Sequence, residues 1–387
     1  MKLTISILGS TGSIGLNSLY IIDKQRKNFS INLLSANKNY QSISKQIKKY
    51  KPNYFVISNI EIYEKIKKEF KNKKIKILNN FEFKNLKKKS DITISAIPGI
   101  AGLPPTLKMI KQSKKILIAN KESIICGWEL LKKDSLKYKS KIIPVDSEHF
   151  AIMKLLENHK LNEIKKIYIT ASGGPFLNYK NSQFKNIKPE QAIKHPKWKM
   201  GKKISVDSAT LMNKILELIE AQKLFNLSND KIDIILHPNS LVHAILELKN
   251  GLVKFIYHET SMIIPLANAI FDSKLNIKDF HNSNKNNQFE NLVFKRIDKK
   301  IFPIIKLKKR ANEFPSTSII INASNEILVD QFLMKKIPFL SIFKIIMTIL
   351  NDRNYKKYAI RNPKNIDQIN EIDSWARNKT MEKISLL

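Results

Sequence analysis

Short apolar runs alternate with lysine-rich amphipathic stretches over the first 145 or so residues. Apolar runs that alternate with helical patterns are typical of βαβ units, in which helices connect parallel strands. The runs that predict strands lie at 4–8, 30–35, 54–57, 75–78, 91–96, 115–119 and 142–145. The pattern therefore predicts an α/β fold that begins with a parallel, doubly wound sheet.

The pattern changes after residue 145. Strand-like runs at 166–170, 233–236 and 253–257 now mix with helical runs at 150–158 and 208–225, as in an α+β domain. A polar, asparagine-rich stretch follows, and the remaining chain is helical, most clearly at 323–334 and 338–352. The predicted segments are a doubly wound domain (1–145), a central α+β domain (146–272), a linker (273–297) and a C-terminal helical bundle (298–387).

Gly9, Gly12 and Gly15 follow the first predicted strand in the sequence GSTGSIG, which opens a helical pattern. Glycines at this spacing let the backbone turn tightly and approach a pyrophosphate at the N-terminus of a helix. A strand before and a helix after are the context that such a turn requires. The first domain is thus predicted to be Rossmann-like and to bind a dinucleotide; the alternative is a glycine-rich turn that only connects two elements.

The end of the second strand indicates which dinucleotide is bound. NAD-specific sites usually carry an acidic residue there, which binds the ribose 2′-hydroxyl. This chain has Asn37-Lys38-Asn39 after the strand, with no acidic residue and with a lysine suited to a 2′-phosphate. NADPH is therefore favoured over NADH, although lysine is so frequent in this chain that Lys38 could be an ordinary surface residue.

Asp146-Ser147-Glu148-His149 follows the last strand of the first domain. Two carboxylates spaced i, i+2 at a strand end can point into one site, and hard oxygen ligands suit Mg²⁺ or Mn²⁺. The alternative is an exposed acidic turn.

The helical run 208–225 carries polar residues on one face, because Asn213 and Glu217 are spaced i, i+4 and Lys214 and Glu217 are spaced i, i+3. Ser208 is predicted at or near the N-cap of this helix. A serine-capped helix start with a lysine one to two turns in is a candidate phosphate site. A solvated polar face with an ion pair is the alternative.

Other loops add candidate ligand contacts. The turn 172–174, Ser-Gly-Gly, can offer backbone N–H groups to an anion, or it is an ordinary tight turn. Residues 120–122 follow a strand at the edge where doubly wound sheets bind ligands. The loop 195–201, HPKWKMG, contains Trp198 and Met200; its tryptophan either packs against the protein or closes over a ligand and excludes water.

Composition bears on partners and compartment. The formal net charge is +36, from 69 Lys and Arg against 33 Asp and Glu, and a charge this high is typical of nucleic-acid-binding proteins. The lysines are spread along the whole chain and largely lack interleaved aromatic residues, so we predict no nucleic-acid partner. We also predict no membrane span, and the single cysteine, Cys126, makes the cytoplasm the simplest compartment.

The strings GSTGSIG, ANKES, VDSEH, SGGPF, HPKWKMGKKISVDSATLMNK and HPNSLVH resemble, in order and spacing, those of 1-deoxy-D-xylulose 5-phosphate reductoisomerases. They span residues 9–243, and a weaker match lies at 322–326. The resemblance implies an NADPH-dependent enzyme that needs Mg²⁺ or Mn²⁺, with Co²⁺ as a further possibility, and that forms a homodimer through its central domain.

The resemblance also assigns roles. Metal ligands would be Asp146, Glu148 and Glu217. Contacts to the small phosphorylated substrate would come from Lys121, Glu122, Ser147, Glu148, Ser172, His195, Ser208, Asn213, Lys214 and Glu217. NADPH contacts would come from Thr11, Gly12, Ser13, Ile14, Asn37, Lys38, Asn39, Asn120, Glu122 and Gly201. The lid loop would carry Trp198 and Met200.

The implied reaction converts 1-deoxy-D-xylulose 5-phosphate to 2-C-methyl-D-erythritol 4-phosphate, a precursor step of the non-mevalonate isoprenoid route. The metal chelates substrate oxygens, a retro-aldol/aldol rearrangement follows, and NADPH then delivers hydride. The chain departs from the family pattern at Asn37, Ile215, Ser261 and Ile263, which puts turnover and cofactor affinity in doubt more than function.

Two other functions stay open at this stage. A simple NADPH oxidoreductase, such as a semialdehyde or homoserine dehydrogenase, would share the glycine-rich turn; an acylating enzyme of that kind needs a nucleophilic cysteine, and Cys126 lies in an apolar context. A basic nucleic-acid-binding protein would share the charge. His149, His237 and His243 are expected to be structural rather than catalytic.

Overall fold

A computed structural model describes residues 2–198, 200–282 and 292–386. The chain forms two compact units. Unit 1 takes in the described residues of Met1–Ser123, Trp128–Phe150 and Ser261–Lys285, and unit 2 those of Ile124–Gly127, Ala151–Thr260 and Asn286–Leu387. The bounds of these units differ from those of the predicted domains. The division into the predicted domains stays a prediction. Part of the predicted linker, 283–291, lies outside the described residues.

Unit 1 contains a parallel seven-stranded sheet with the order β4-β3-β2-β1-β5-β6-β7. Its strands are β1 (Leu3–Leu8), β2 (Phe29–Ala36), β3 (Tyr54–Ile57), β4 (Lys76–Leu78), β5 (Ser90–Ser95), β6 (Ser113–Ile118) and β7 (Lys141–Pro144). Ile5, Ile7 and Leu33 of the inner strands are fully buried, and each such side chain contributes roughly 1.5–3 kcal/mol to folding. The predicted doubly wound sheet is confirmed, with every strand within two residues of its predicted position.

A helix follows every strand of this sheet except β4. These helices are α1 (Ser13–Lys24), α2 (Tyr40–Tyr50), α3 (Ile60–Glu69), α4 (Leu103–Ile110), α5 (Lys121–Tyr138) and α6 (Ser147–Leu156). Asparagine side chains cap three of them: Asn39, Asn59 and Asn120 each accept a hydrogen bond from the backbone N–H group three residues on. These caps fix where the chain turns from a strand end into a helix.

Unit 2 contains a four-stranded mixed sheet with the order β11-β10-β8-β9. Its strands are β8 (Ile164–Ala171), β9 (Ile232–Leu236), β10 (Val242–Leu248) and β11 (Val253–Tyr257). Strand β10 runs antiparallel to both neighbours, while β8 and β9 are parallel. The sequence pattern predicted β8, β9 and β11 but missed β10, the strand that joins the others into one sheet.

The remaining helices are α7 (Pro189–Ala192), α8 (Lys202–Thr210), α9 (Met212–Phe225), α10 (Ile263–Ile270), α11 (Thr317–Leu333), α12 (Ser341–Leu350), α13 (Tyr355–Ala359) and α14 (Ile366–Ile384). Helix α10 belongs to unit 1, and α11, α12 and α14 pack together in unit 2. The predicted helical C-terminal region is confirmed. Within the described ranges, no helix is both long and apolar enough to cross a bilayer.

One prediction about this region is wrong. The run 208–225 was expected to form a single helix capped by Ser208, but two helices meet at Leu211, whose φ of +64° is left-handed. Ser208 therefore lies inside α8, and Gly201 is the N-cap. Leu211 is buried, so tertiary packing holds a backbone conformation that its side chain disfavours.

Candidate active site

In the glycine-rich turn between β1 and α1, two glycines serve the fold and one remains accessible. A Cβ at Gly9, where φ is +82°, would lie 2.7 Å from the carbonyl oxygen of Ala96, and one at Gly15 would lie 2.3 Å from that of Gly9. At Gly12 the nearest atom would be an ordinary 3.5 Å away. Because the fold does not require glycine at position 12, its small size there suits close approach of a pyrophosphate to the backbone.

The strand order reverses direction between β1 and β5, which is where doubly wound sheets bind ligands. Asn120 holds the loop that follows β5, because its Nδ2 donates to the carbonyl oxygens of Ile97, at 2.6 Å, and Gly99, at 3.0 Å. A Cβ at Gly102 would lie 2.5 Å from the oxygen of Ile97. Sequence reasoning missed this loop, although Pro98 and its two glycines at a strand end were the available signal.

Asn37, Lys38 and Asn39 lie exposed at the end of β2. The side chain of Asn39 accepts a 3.0 Å hydrogen bond from Ser42 N and so begins α2. The backbone thus presents Lys38 beside the strand end where an NAD-specific enzyme carries an acidic residue. This arrangement suits a 2′-phosphate.

Asp146 forms a partly buried corner between β7 and α6. Its carboxylate lies 3.1 Å from Lys121 Nζ and 3.4 Å from His149 Nδ1, and 18% of its side chain is exposed. Beside it, the Ser147 hydroxyl donates to Glu148 at the first turn of α6. Two carboxylates with their oxygens fixed in this way offer the hard ligands that Mg²⁺ prefers. The side chains of this segment of unit 1 are thus held by contacts and partly buried, unlike those of an exposed acidic turn.

The turn after β8 packs directly on α8 in unit 2. Gly173 and Gly174 have φ values of +84° and +64°, and a Cβ at Gly174 would lie 2.8 Å from the carbonyl oxygen of Ser208. Gly174 N donates to Ser172 Oγ at 3.2 Å. Glycine is therefore required at position 174, and the close approach brings the turn of Ser172 to the helix segment that carries Ser208.

His195 connects this turn to the lid loop. Its Nδ1 accepts hydrogen bonds from the backbone N–H groups of Lys197, at 3.1 Å, and Trp198, at 2.9 Å, so the ring proton of the neutral form lies on Nε2. Nε2 donates to Ser172 Oγ, 3.0 Å away. Burial, together with the charge of Lys214, lowers the pKa of His195 to about 4, so the imidazole is neutral near pH 7.

The polar face of α9 forms as its spacing predicts. Lys214 Nζ lies 2.7 Å from Glu217 Oε2, and the Asn213 amide donates to the other oxygen of the same carboxylate. Glu217 is 1% exposed and Lys214 is 8% exposed. Lys214 and Glu217 are thus buried rather than solvated, while Asn213 is half-buried. The left-handed residue Leu211 lies directly before α9.

Trp198 is half-buried within unit 2. Its ring lies edge-on to His243, with 6.3 Å between ring centroids, and His243 stacks on His258 at 3.7 Å. Met200 is half-buried and Gly201 is exposed at the start of α8. His237 Nδ1 lies 2.9 Å from the Val293 carbonyl oxygen. The structural role expected of His237 and His243 stays a prediction.

A parallel sheet with a glycine-rich turn at its strand-order reversal, carboxylates at a strand end and buried cationic and hydroxyl groups define a class of protein. It is a Rossmann-like, dinucleotide-dependent oxidoreductase that acts on a small anionic substrate. Similarity to known proteins identifies the family within this class.

Three family models cover most of the chain: the 1-deoxy-D-xylulose 5-phosphate reductoisomerase model at 5–127, its C-terminal domain model at 142–225, and the DXP reductoisomerase C-terminal domain model at 259–379. A reductoisomerase of Pelagibacter ubique (strain HTCC1062) is 45% identical over 97% of this chain and 98% of its own length. One from Thermodesulfovibrio yellowstonii is 38% identical over 98% of this chain and 99% of its own length. The chain belongs to the 1-deoxy-D-xylulose 5-phosphate reductoisomerase family.

Solved structures agree with this assignment. A DOX-P reductoisomerase in complex with NADPH, fosmidomycin and magnesium matches with a TM-score of 0.91 and 31% identity, over 99% of this chain and 98% of that one. The Zymomonas mobilis enzyme in complex with NADPH matches with a TM-score of 0.88 and 30% identity over 100% of both chains. The Rossmann-like fold and the resemblance drawn from the motifs are thereby confirmed.

Proposed function

We propose that this chain reduces and isomerises 1-deoxy-D-xylulose 5-phosphate to 2-C-methyl-D-erythritol 4-phosphate with NADPH, as a step toward isoprenoid precursors. The observation that carries the proposal is the corner of unit 2 where Gly174 approaches Ser208 and where Ser172 bonds to His195. Hydroxyl groups at a glycine turn, with Lys214 acting on His195, suit a phosphate monoester. The identity of the substrate beyond its phosphate group is inferred from family membership.

NADPH is the cofactor, and the residues present fit it. The accessible backbone at Gly12, at the N-terminus of α1, suits the pyrophosphate, with Thr11, Ser13 and Ile14 beside it. The exposed segment 37–39 suits the adenosine phosphate. Asn120, Glu122 and Gly201 complete the proposed NADPH contacts; Asn120 also holds the loop after β5.

Mg²⁺ is the metal, with Mn²⁺ or Co²⁺ as substitutes, and the donor set fits a hard divalent cation. We propose Asp146, Glu148 and Glu217, all carboxylates, as its ligands. Lys121 and His149 orient the Asp146 carboxylate, and Asn213 and Lys214 orient that of Glu217. When bound, the ion supplies Lewis-acid polarisation of substrate oxygens and NADPH supplies the hydride.

The chain's own residues bind, orient and enclose the substrate. Ser172, Ser208, Asn213 and Lys214 grip the phosphate, which provides binding energy remote from the reacting carbons. His195 stays neutral and holds Ser172. Lys121, Glu122 and Ser147 contact the substrate backbone. Trp198 and Met200, on the loop joined to His195, exclude water from the reacting intermediates.

The enzyme acts as a homodimer. The edge strand β11 carries large apolar side chains at the surface: Val253 is 57% exposed and Phe255 is 47% exposed, and Leu252 beside them is 57% exposed. An exposed apolar strand at a sheet edge is a surface that proteins normally cover. A second copy of the chain covers it by the symmetric contact usual in homodimers. We place the dimer in the cytoplasm, as the single, buried Cys126 favours.

An assay of purified protein tests the function. With Mg²⁺ or Mn²⁺ and 1-deoxy-D-xylulose 5-phosphate, NADPH absorbance should fall and methylerythritol phosphate should appear by mass spectrometry. Omission of the metal should stop both changes. The proposal fails if neither change occurs with either metal.

A further inference from the structure

Helix α8 carries a buried carboxylate next to Ser208. Ser208 belongs to what we call the phosphate corner, which also includes Ser172, Gly174 and His195. Asp207 is 1% exposed and directly precedes Ser208. Its Oδ1 accepts a 2.8 Å hydrogen bond from Asn325 Nδ2, and its Oδ2 lies 2.9 Å from Lys203 Nζ, one turn earlier on α8. Both carboxylate oxygens therefore bond to protein groups.

Asn325 lies at the centre of α11 and is fully buried. A buried amide costs free energy unless its hydrogen bonds are made, and in the described part of the chain only the Nδ2 side of Asn325 has a partner. An apolar residue would pack there without this cost. An apolar residue would not fix the placement of α8 against α11, however. A hydrogen bond restricts the distance and angle between its two groups, whereas apolar surfaces can slide past each other.

The element that bears Asn325 is itself held firmly. The next residue, Glu326, pairs with Arg377 of α14, and Arg377 also lies 2.5 Å from Asp373. One turn earlier, Asn322 Nδ2 donates to Glu326 at 3.2 Å. Helices α11 and α14 are thus joined within unit 2, and the Asn325 amide bonds α11 to α8.

A small shift of α8 would have large consequences for the phosphate corner. A Cβ at Gly174 would stand only 2.8 Å from Ser208 O, so the turn and the helix leave no room for a side chain between them. Leu211 alone separates α8 from α9, so a shift of α8 would also move Asn213 and Lys214 in the first turn of α9. Misplacement of binding groups by about 1 Å can cost up to roughly 10²-fold in rate.

We propose that Asp207 and Asn325 are positioning residues for the reaction: their hydrogen bond aligns α8, and with it Ser208 and the start of α9, for the substrate phosphate. The inference rests on the proposed function. It gives α11 a part in positioning the substrate site.

The test compares Asn325→Leu, nearly equal in size, with the wild type and with Ser324→Ala, a matched change at the neighbouring buried residue of α11. Asn325→Leu should raise KM for 1-deoxy-D-xylulose 5-phosphate about tenfold, the loss expected for a hydrogen bond to a charged group, and leave KM for NADPH within about twofold. Ser324→Ala should leave both within about twofold of the wild type. A purely structural role predicts no such split between the two substrates.

A second pair keeps the test decisive if Asn325→Leu does not fold. Asp207→Asn retains an oxygen that can accept from Asn325 and should keep KM for the phosphorylated substrate within about threefold, whereas Asp207→Ala should raise it about tenfold. Inorganic phosphate, used as a competitive inhibitor, should lose affinity in parallel. Equal KM values in Asp207→Ala, Asp207→Asn and wild type would overturn the inference. A wild-type protein without activity would instead contradict the proposed function.

Discussion

His195 Nε2 lies 3.0 Å from Ser172 Oγ, while the other ring nitrogen accepts the backbone N–H of Trp198. One neutral imidazole thus connects the turn after β8 to the loop that carries the lid. Protonation would place a hydrogen on Nδ1 and would break its contacts with that loop. The phosphate corner and the lid loop are therefore joined by a group that changes state at acidic pH.

This contact predicts a pH dependence of stability. Burial lowers the pKa of His195 from 6.5 to about 4, so between those values the unfolded chain binds a proton that the folded chain does not. The free energy of unfolding should therefore fall as the pH drops from 6.5 toward 4. In His195→Gln this part of the loss should be absent. Thermal melts across that range give the comparison, and identical slopes for the two proteins would contradict the prediction.

The glycine-rich turn predicts two different defects. Gly12→Ala should weaken NADPH binding at least about tenfold, because a Cβ occupies the space of the pyrophosphate, while the melting temperature changes little. Gly15→Ala should lower the melting temperature by several degrees, because its Cβ would lie 2.3 Å from Gly9 O. NADPH fluorescence titration and thermal melts separate the two effects. A Gly12→Ala protein with normal affinity would argue against the site.

Glu217 predicts a separation of chemistry from cofactor binding. Glu217→Gln removes a charged metal ligand and should lower turnover by about 10³-fold or more, since a Lewis acid contributes several kcal/mol. NADPH affinity should stay within about twofold, because Glu217 is not among its contacts. Glu247→Gln, which alters a surface carboxylate paired with Lys165, is the control and should remain active. Full activity in Glu217→Gln would refute the metal assignment.

Lys38 predicts the preference between cofactors. Lys38→Glu should lower the kcat/KM ratio of NADPH to NADH by about tenfold or more, because the charge that attracts the 2′-phosphate is replaced by one that repels it. Lys45→Glu, the same change at an exposed residue of α2, should leave the ratio unchanged. Steady-state rates with both cofactors measure the effect. An unaltered ratio in Lys38→Glu would make this lysine an ordinary surface residue.

The apolar edge of β11 predicts the assembly. Phe255→Lys should convert a dimer to a monomer, since a charge at the centre of an apolar contact is costly to bury. Leu136→Lys, at a residue of α5 that is 72% exposed, should leave the assembly unchanged. Light scattering after size exclusion gives the mass directly. A monomeric wild-type protein, or a dimeric Phe255→Lys, would exclude β11 as the interface.

Local patterns in the sequence were sufficient for the first sheet. Its strands are separate apolar runs with helical patterns between them, so each element could be recognised without its neighbours. The glycine-rich turn and the face of Asn213, Lys214 and Glu217 were likewise readable, because both depend on spacing along one element. Strand β10 was missed because its apolar pattern, Val242 to Leu248, follows a turn and a histidine and identifies itself only by pairing with β8 and β11.

The sequence by itself thus determined the kind of fold, the cofactor class and the residues that are able to bind ligands or take part in the reaction. Only the tertiary structure decided how they are held. Packing holds the break between two helices at Leu211. The contact of Gly174 with Ser208 and the bond between Asp207 and Asn325 join residues up to 118 positions apart. No local pattern encodes such contacts, because a left-handed leucine or a buried amide is stable only when the surrounding packing compensates for it.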